Sequence, residues 1–216
     1  MKNAVKKISN SVAIMTLAIM FFGGCDKDKG SPSLVSGGFN GRVSATVDPE
    51  GEDLSHIKAV VPWNELDVDF NKGEVLGEQI GDAVPFNNNK FTINLPDPPP
   101  SQSVWVDIKY ALENYLGLSG SLKCSDPNVQ VTDADFLAHT TGTSTGGFTG
   151  YFLNTTPDKK TVCIYVYADG DVTVTGGNVS LSLKKGWNRL YNTDSGKGKV
   201  TTKAPDDMMW FYESFL

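Results

Sequence analysis

Beyond residue 38 the chain alternates apolar and polar residues with a period of two, and no long stretch places apolar residues at i, i+3, i+4 and i+7. Gly41-Arg-Val-Ser-Ala-Thr-Val47 sets Val43, Ala45 and Val47 on one face and Arg42, Ser44 and Thr46 on the other. Residues 57–63 predict a second strand, with Pro62 marking an edge or a bulge because proline gives the ladder no N–H. Leu66, Val68 and Phe70 alternate with Asp67 and Asp69, and Asn71-Lys-Gly73 supplies turn chemistry before a strand at 74–80. Strands follow at 91–95, stopped by the proline cluster at 96–100, and at 104–110.

The second half repeats the pattern at 150–153, 161–167, 171–175, 179–184, 186–191 and 208–212. Along 161–167 Cys163, Tyr165 and Tyr167 share one face, opposite Val162, Ile164 and Val166. Asp169-Gly170 is a hairpin signal. Residues 111–116 predict a short helix and 133–138 a second helical turn, with Asp133, Asp135, Asp169 and Asp171 read as turn residues. These short strands predict an all-β fold, an antiparallel β-sandwich with one or two short helices. A divide near 111–120 separates an N-terminal β unit, 39–110, from a C-terminal one, 111–216, either standing apart or forming one domain. No repeat of 20–50 residues suggests a solenoid or propeller.

The first 38 residues follow other rules. Lys2, Lys6 and Lys7 precede an apolar run from Val12 to Phe22, and Gly23-Gly24-Cys25 follows. The run is far shorter than the ~20 residues a spanning helix needs, so it reads as the h-region of an export signal, residues 1–24. Small residues directly before a cysteine separate a lipoprotein signal from an ordinary cleavage site. Phe22-Gly23-Gly24-Cys25 resembles the bacterial lipobox, with Phe where Leu is usual. In that reading Cys25 becomes the mature N-terminus, acylated on sulfur and nitrogen. Each buried CH₂ contributes about 0.8 kcal/mol, so three chains anchor stably where one would be reversible. Residues 25–38, rich in Asp, Lys, Gly and Ser, read as a flexible tether.

Cleavage changes the charge. The three lysines leave with the signal, taking the basic count from 19 to 16 against 25 acids and the net charge from −6 to −9. An acidic chain without a Lys/Arg stripe repels phosphate backbones, which excludes nucleic acid as an expected partner.

Residues 41–43, 90–96 and 104–108 carry a G-x-V strand, an F-x-I-x-L-P strand and a V-x-V strand, and this stretch resembles prealbumin-like Ig-type modules. The mature chain as a whole resembles uncharacterised Bacteroidetes lipoproteins through Cys25 and its charged tether, the Phe91–Pro96 strand and the segment Leu181 to Tyr191. The resemblance implies a β-sandwich held at the outer membrane by its lipid, with the cell surface favoured over the periplasmic face. It implies no activity.

Candidate chemistry is sparse. Gly142-Thr-Ser-Thr-Gly146 matches G-x-S-x-G, but no helix former follows and no histidine comes after His139, so it reads as a polar loop. Asp67, Asp69, Asn71 and Glu78 occupy positions 1, 3, 5 and 12 of an EF-hand-like calcium loop, yet Lys72 stands where the turn glycine belongs. The alternation around them favours a strand, so no metal or other cofactor is expected. His56 and His139 have no acid or nucleophile arranged around them in sequence. A glycosidase-type carboxylate pair cannot be picked from 25 acids. Cys124 and Cys163 either pair in an oxidising compartment or remain separate core thiols.

Trp63, Trp105 and Trp187 could stack sugar rings on a sandwich face; otherwise they pack the core or its edge. The expectation is therefore a non-catalytic, lipid-anchored envelope protein with an adhesion, scaffold or ligand-binding role, attached to the membrane through Cys25. The partner would be a glycan or a protein of unknown identity. A glycan-binding surface lipoprotein is the alternative, and a hydrolase the weaker one.

Overall fold

The computed structural model describes residues 38–69, 74–101, 103–114, 116, 118, 121–140, 147–176, 179–193 and 199–215, with the side chains of 65–69 and 74–76 left aside. Cys25 and residues 1–37 lie outside them, as do Asn71 and Ser144. The elements in order are β1 (Arg42–Asp48), a 3-10 turn (Leu54–His56), β2 (Ala59–Asp69), β3 (Glu74–Gln79), β4 (Val84–Pro85), β5 (Lys90–Asn94), β6 (Val106–Asp107) and α1 (Ile108–Asn114). They continue with β7 (Lys123–Cys124), β8 (Gln130–His139), β9 (Phe148–Thr155), β10 (Thr161–Ala168), β11 (Val172–Gly176), β12 (Val179–Leu183), β13 (Gly186–Thr193), β14 (Lys199–Thr201) and β15 (Met209–Ser214). The fold is all-β and sandwich-like, with one short α-helix among the described residues.

A large sheet runs β14-β13-β10-β8-β9-β15-β1-β5, with β2 and β6 also paired to β8, β3 and β4 paired to β2, and a smaller sheet β12-β11-β7 beside it. Every pairing is antiparallel except β1 with β15, where Val47 faces Trp210 in parallel. Residues 39–110 and 111–216 share this sheet: β2 from the first half pairs with β8 from the second, and one core takes side chains from both.

Alternation in β10 and β13 builds two cores on opposite faces of the same strands. Cys163, Tyr165, Tyr167, Trp187 and Tyr191 point into a first core shared with Val43, Phe91, Ile93, Phe136, Phe152 and Trp210. Aromatic rings dominate it: Phe136 meets Tyr165 edge-on at 5.1 Å, and Phe91 meets Trp210 at 5.3 Å. Val166, Ala168 and Leu190 point the other way, into a second core with Ile108 and Leu112 of α1 and Val174, Leu181 and Leu183 of the small sheet. That core is aliphatic throughout.

The small sheet is an excursion between two paired strands. β10 and β13 pair from Thr161 opposite Thr193 to Ala168 opposite Gly186. The chain between them folds back as the β11–β12 hairpin to cover the second core. Asp171 clasps the base of the excursion: its carboxylate accepts from the Lys185 N–H at 2.8 Å and from Lys184 Nζ at 2.8 Å. These contacts hold its pKa below the usual carboxylate range. Asp169-Gly170 is thus not the hairpin expected, since β10 and β11 are not partners; the turn carries the chain out of one layer into the other.

Two further expectations change. The helix begins three residues before its predicted start, at Ile108, which shortens the predicted 104–110 strand to β6. Residues 133–138 are not helical: they form the middle of β8. Close strand packing requires glycine at Gly150 of β9, where a Cβ would lie 2.1 Å from the Glu213 carbonyl of β15.

Because both cores share β10 and β13, the fold is expected to unfold as one unit. Leu183→Ala, at a fully buried position in the core that lacks aromatics, should cost about 2–5 kcal/mol. In urea denaturation followed by tryptophan fluorescence, its midpoint should fall although no Trp belongs to that core. An unmoved Trp midpoint would show two independent cores.

Candidate functional site

β8 is flanked on each edge by two strands in succession. On one edge β2 pairs with it from Ala59 opposite His139 to Trp63 opposite Asp135, and β6 takes over at Val106 opposite Val131. On the other edge β9 ends its pairing at Tyr151 opposite Leu137, and β10 begins at Tyr165 opposite Ala134. One edge therefore forks between residues 131 and 135 and the other between 134 and 137, and a fork leaves backbone groups without ladder partners.

Asn64 fills the first fork. It follows Trp63 where β2 peels away to pair with β3, and it is 2% exposed. Its Oδ1 accepts the Val104 N–H at 2.7 Å, while its Nδ2 donates to Asp133 Oδ1 at 2.6 Å and lies 3.4 Å from the Asp133 carbonyl. One side-chain amide thus joins the segment entering β6 to the centre of β8. Asp133 stands beside Val166 at the margin of the aliphatic core. Burial pushes its carboxyl up to about 6, against the opposing effect of the Asn64 hydrogen bond.

The residues named from sequence do not converge on this point. Trp187 is 2% exposed in the aromatic core, and its Nε1 donates to the Pro96 carbonyl at 2.7 Å, so it offers no ring face to a sugar. Trp105 is half-buried and edge-on to Tyr167 at 5.8 Å. Trp63 is half-buried on the opposite face of the sheet, edge-on to Phe148 at 5.1 Å. The three indoles therefore do not form one stacking platform.

Asp67 and Asp69 lie in the extended part of β2, opposite Leu76 and Glu74, and Glu78 lies opposite Asn64. Their backbone is a hairpin ladder rather than a loop wrapping an ion. Among the described residues no group of three His, Cys, Asp or Glu side chains is placed to hold a metal. Asp133 and Asp135 are strand residues, not turn residues. His56 bonds the Asp53 carbonyl through Nδ1 at 2.9 Å, and His139 is fully buried, edge-on to Phe148. Cys124 and Cys163 are free thiols on elements of different cores.

A second polar group lies in the aromatic core around Arg189 of β13. Its guanidinium sits 4.4 Å from the Phe39 ring centroid and 5.6 Å from that of Tyr165. Tyr165 accepts from Asn154 Nδ2 at 3.1 Å. Burial raises the pKa values of Cys163 and Tyr191 to about 12 and moves that of Tyr165 up as well, so all three stay neutral. Neither Asn64 nor Arg189 was marked by the sequence; each is one polar residue among several in its strand.

A carboxyl whose folded pKa lies above its unfolded value of 3.8 stays protonated as the unfolded chain ionises, so stability falls as pH rises from about 4 to 6 and then levels off. Asp133→Asn keeps the Asn64 contact and removes the ionisation. It should raise stability by about 1–3 kcal/mol at pH 7.5, with the gain vanishing below pH 4, as read by urea midpoints across pH. A gain independent of pH would refute the buried carboxyl as its source. Compared with protein-family models, curated proteins and solved structures, the chain matches none.

Proposed function

We propose that the protein is a non-catalytic, lipid-anchored component of the bacterial cell envelope, held at the outer membrane through Cys25 and serving an adhesion, scaffold or ligand-binding role. The observation that carries the reading is the sequence Phe22-Gly-Gly-Cys25 behind a basic and apolar leader. The first described residues are consistent with it. Gly38 bridges to Asn188, and the Phe39 N–H donates to the Trp187 carbonyl at 2.9 Å, so a tether of about a dozen residues separates Cys25 from a fixed point on β13.

The non-catalytic part of the reading is supported by how the reactive side chains are used. Both histidines are engaged in packing or backbone contacts, and the Asp133 carboxyl is tied to Asn64. Glycan binding ranks second because Trp187 is committed to the core and the rings of Trp63 and Trp105 are packed edge-on against neighbours.

The test is lipid labelling in a Gram-negative host. The wild-type chain should incorporate radiolabelled palmitate and sediment with the outer membrane, whereas Cys25→Ala should do neither. Palmitate incorporation that survives the substitution would overturn the anchor.

A further inference from the structure

Arg189 carries a polar arrangement that neither the proposed anchor nor the Asn64 junction uses. A guanidinium has two flat faces and a rim of five N–H donors. Phe39 and Tyr165 stand against the flat group at 4.4 Å and 5.6 Å. Rings satisfy the charge only through the faces and leave the in-plane donors unused. At the rim, the Tyr191 hydroxyl accepts one hydrogen bond, while Nε–H is fully enclosed and has no acceptor.

The ion pairs among the described residues are all formed by lysines, so Arg189 has no carboxylate there. Its neighbours Cys163, Tyr165 and Tyr191 are neutral. Arg189 is half-buried, but its enclosed Nε–H lacks an acceptor and its neighbours are neutral, which departs from the rule that enclosed charged groups are paired.

We propose that Arg189 is the anchor of an oxyanion-binding site, taking a carboxylate or a phosphate through two parallel hydrogen bonds from Nε–H and one Nη–H. Phe39 is its movable wall. That residue is held to β13 by its N–H bond to Trp187 and by the neighbouring Gly38–Asn188 bridge. Shifting it would open the rim of Arg189 without disturbing β10 or β13. The same oxyanion chemistry occurs in a soluble metabolite and in an anionic lipid headgroup, and the segment that bears Phe39 is the one that leads back to Cys25.

The experiment uses the full-length protein in dodecyl maltoside micelles, labelled with ¹⁵N at arginine side chains. Sodium phosphate and sodium acetate are titrated against sodium chloride at constant ionic strength, and phosphatidylglycerol is compared with phosphatidylcholine mixed into the micelles. The Arg189 Nε–Hε resonance should move saturably with at least one oxyanion and stay fixed with chloride. Movement with phosphatidylglycerol identifies a headgroup ligand; movement with phosphate or acetate alone identifies a soluble one. Arg189→Lys, which keeps the charge but loses the fork, should bind about tenfold more weakly. Arg189→Met should lose the oxyanion-dependent rise in Tm. A resonance unmoved by phosphate, acetate and phosphatidylglycerol overturns the site in the native protein, whether or not the variants fold. So does an equal rise in Tm in the wild type and Arg189→Met.

Discussion

The architecture depends on a single strand that has to serve four partners. β8 gives each of its edges first to one strand and then to another, and both handovers fall between residues 131 and 137. A continuous ladder cannot do this without leaving backbone groups unpaired in a buried place, where each orphan costs about 1–3 kcal/mol. Asn64 resolves the problem at one fork with a side chain that both accepts and donates. Apolar residues of its size lack that pair of groups, and serine lacks the reach. The price is the Asp133 carboxyl, which is drawn into the same buried junction and held above its ordinary pKa.

From that branching follow the two cores. Where β9 and β15 continue one wing of the sheet and β10, β13 and β14 the other, the faces of β10 and β13 both become interior. Their chemistry differs for a geometric reason. The first core lies among many strands and is filled by large rings, several of which carry a polar atom to a partner at the margin: Tyr167 donates to Asp97 at 2.7 Å, Tyr212 to the Thr149 carbonyl at 2.8 Å, and Trp187 to Pro96. The second is a layer of branched aliphatic side chains between two sheets and a helix, and needs no such arrangement.

What was legible in the sequence tracks this division. Strands with one polar face, such as β1 and β5, read directly from alternation. The two faces of β10 were separable at Cys163, Tyr165 and Tyr167, and the structure sends them to different cores. β8 was not legible. Asp133-Ala-Asp-Phe-Leu-Ala138 sets both acids and Leu137 on one face and Ala134, Phe136 and Ala138 on the other, and the period of two that marks a half-buried strand breaks at the buried Leu137, where both faces are interior. Asp169-Gly170 misled for a related reason: local turn chemistry fixes that the chain turns, and only long-range pairing decides which strand it meets. The candidate sites were hidden more deeply, since Asn64 and Arg189 matter through residues dozens of positions away.

The contacts of Gly38 and Phe39 with β13 tie these features to a mechanical question. A pull arriving from the N-terminal side enters through the Gly38–Asn188 bridge and the Phe39–Trp187 bond, both on β13. Asn188 is fully buried, and its side chain bonds the Lys184 N–H and the carbonyls of Lys184 and Gly186, so the bridge is welded to the turn that closes the small-sheet excursion. β13 is itself paired over eight residues with β10. Force entering there is resisted by a ladder lying between both cores, whereas the two contacts at residues 38 and 39 are the weakest in its path. The segment carrying Phe39 should therefore yield before any strand does, and it is the same segment that covers Arg189.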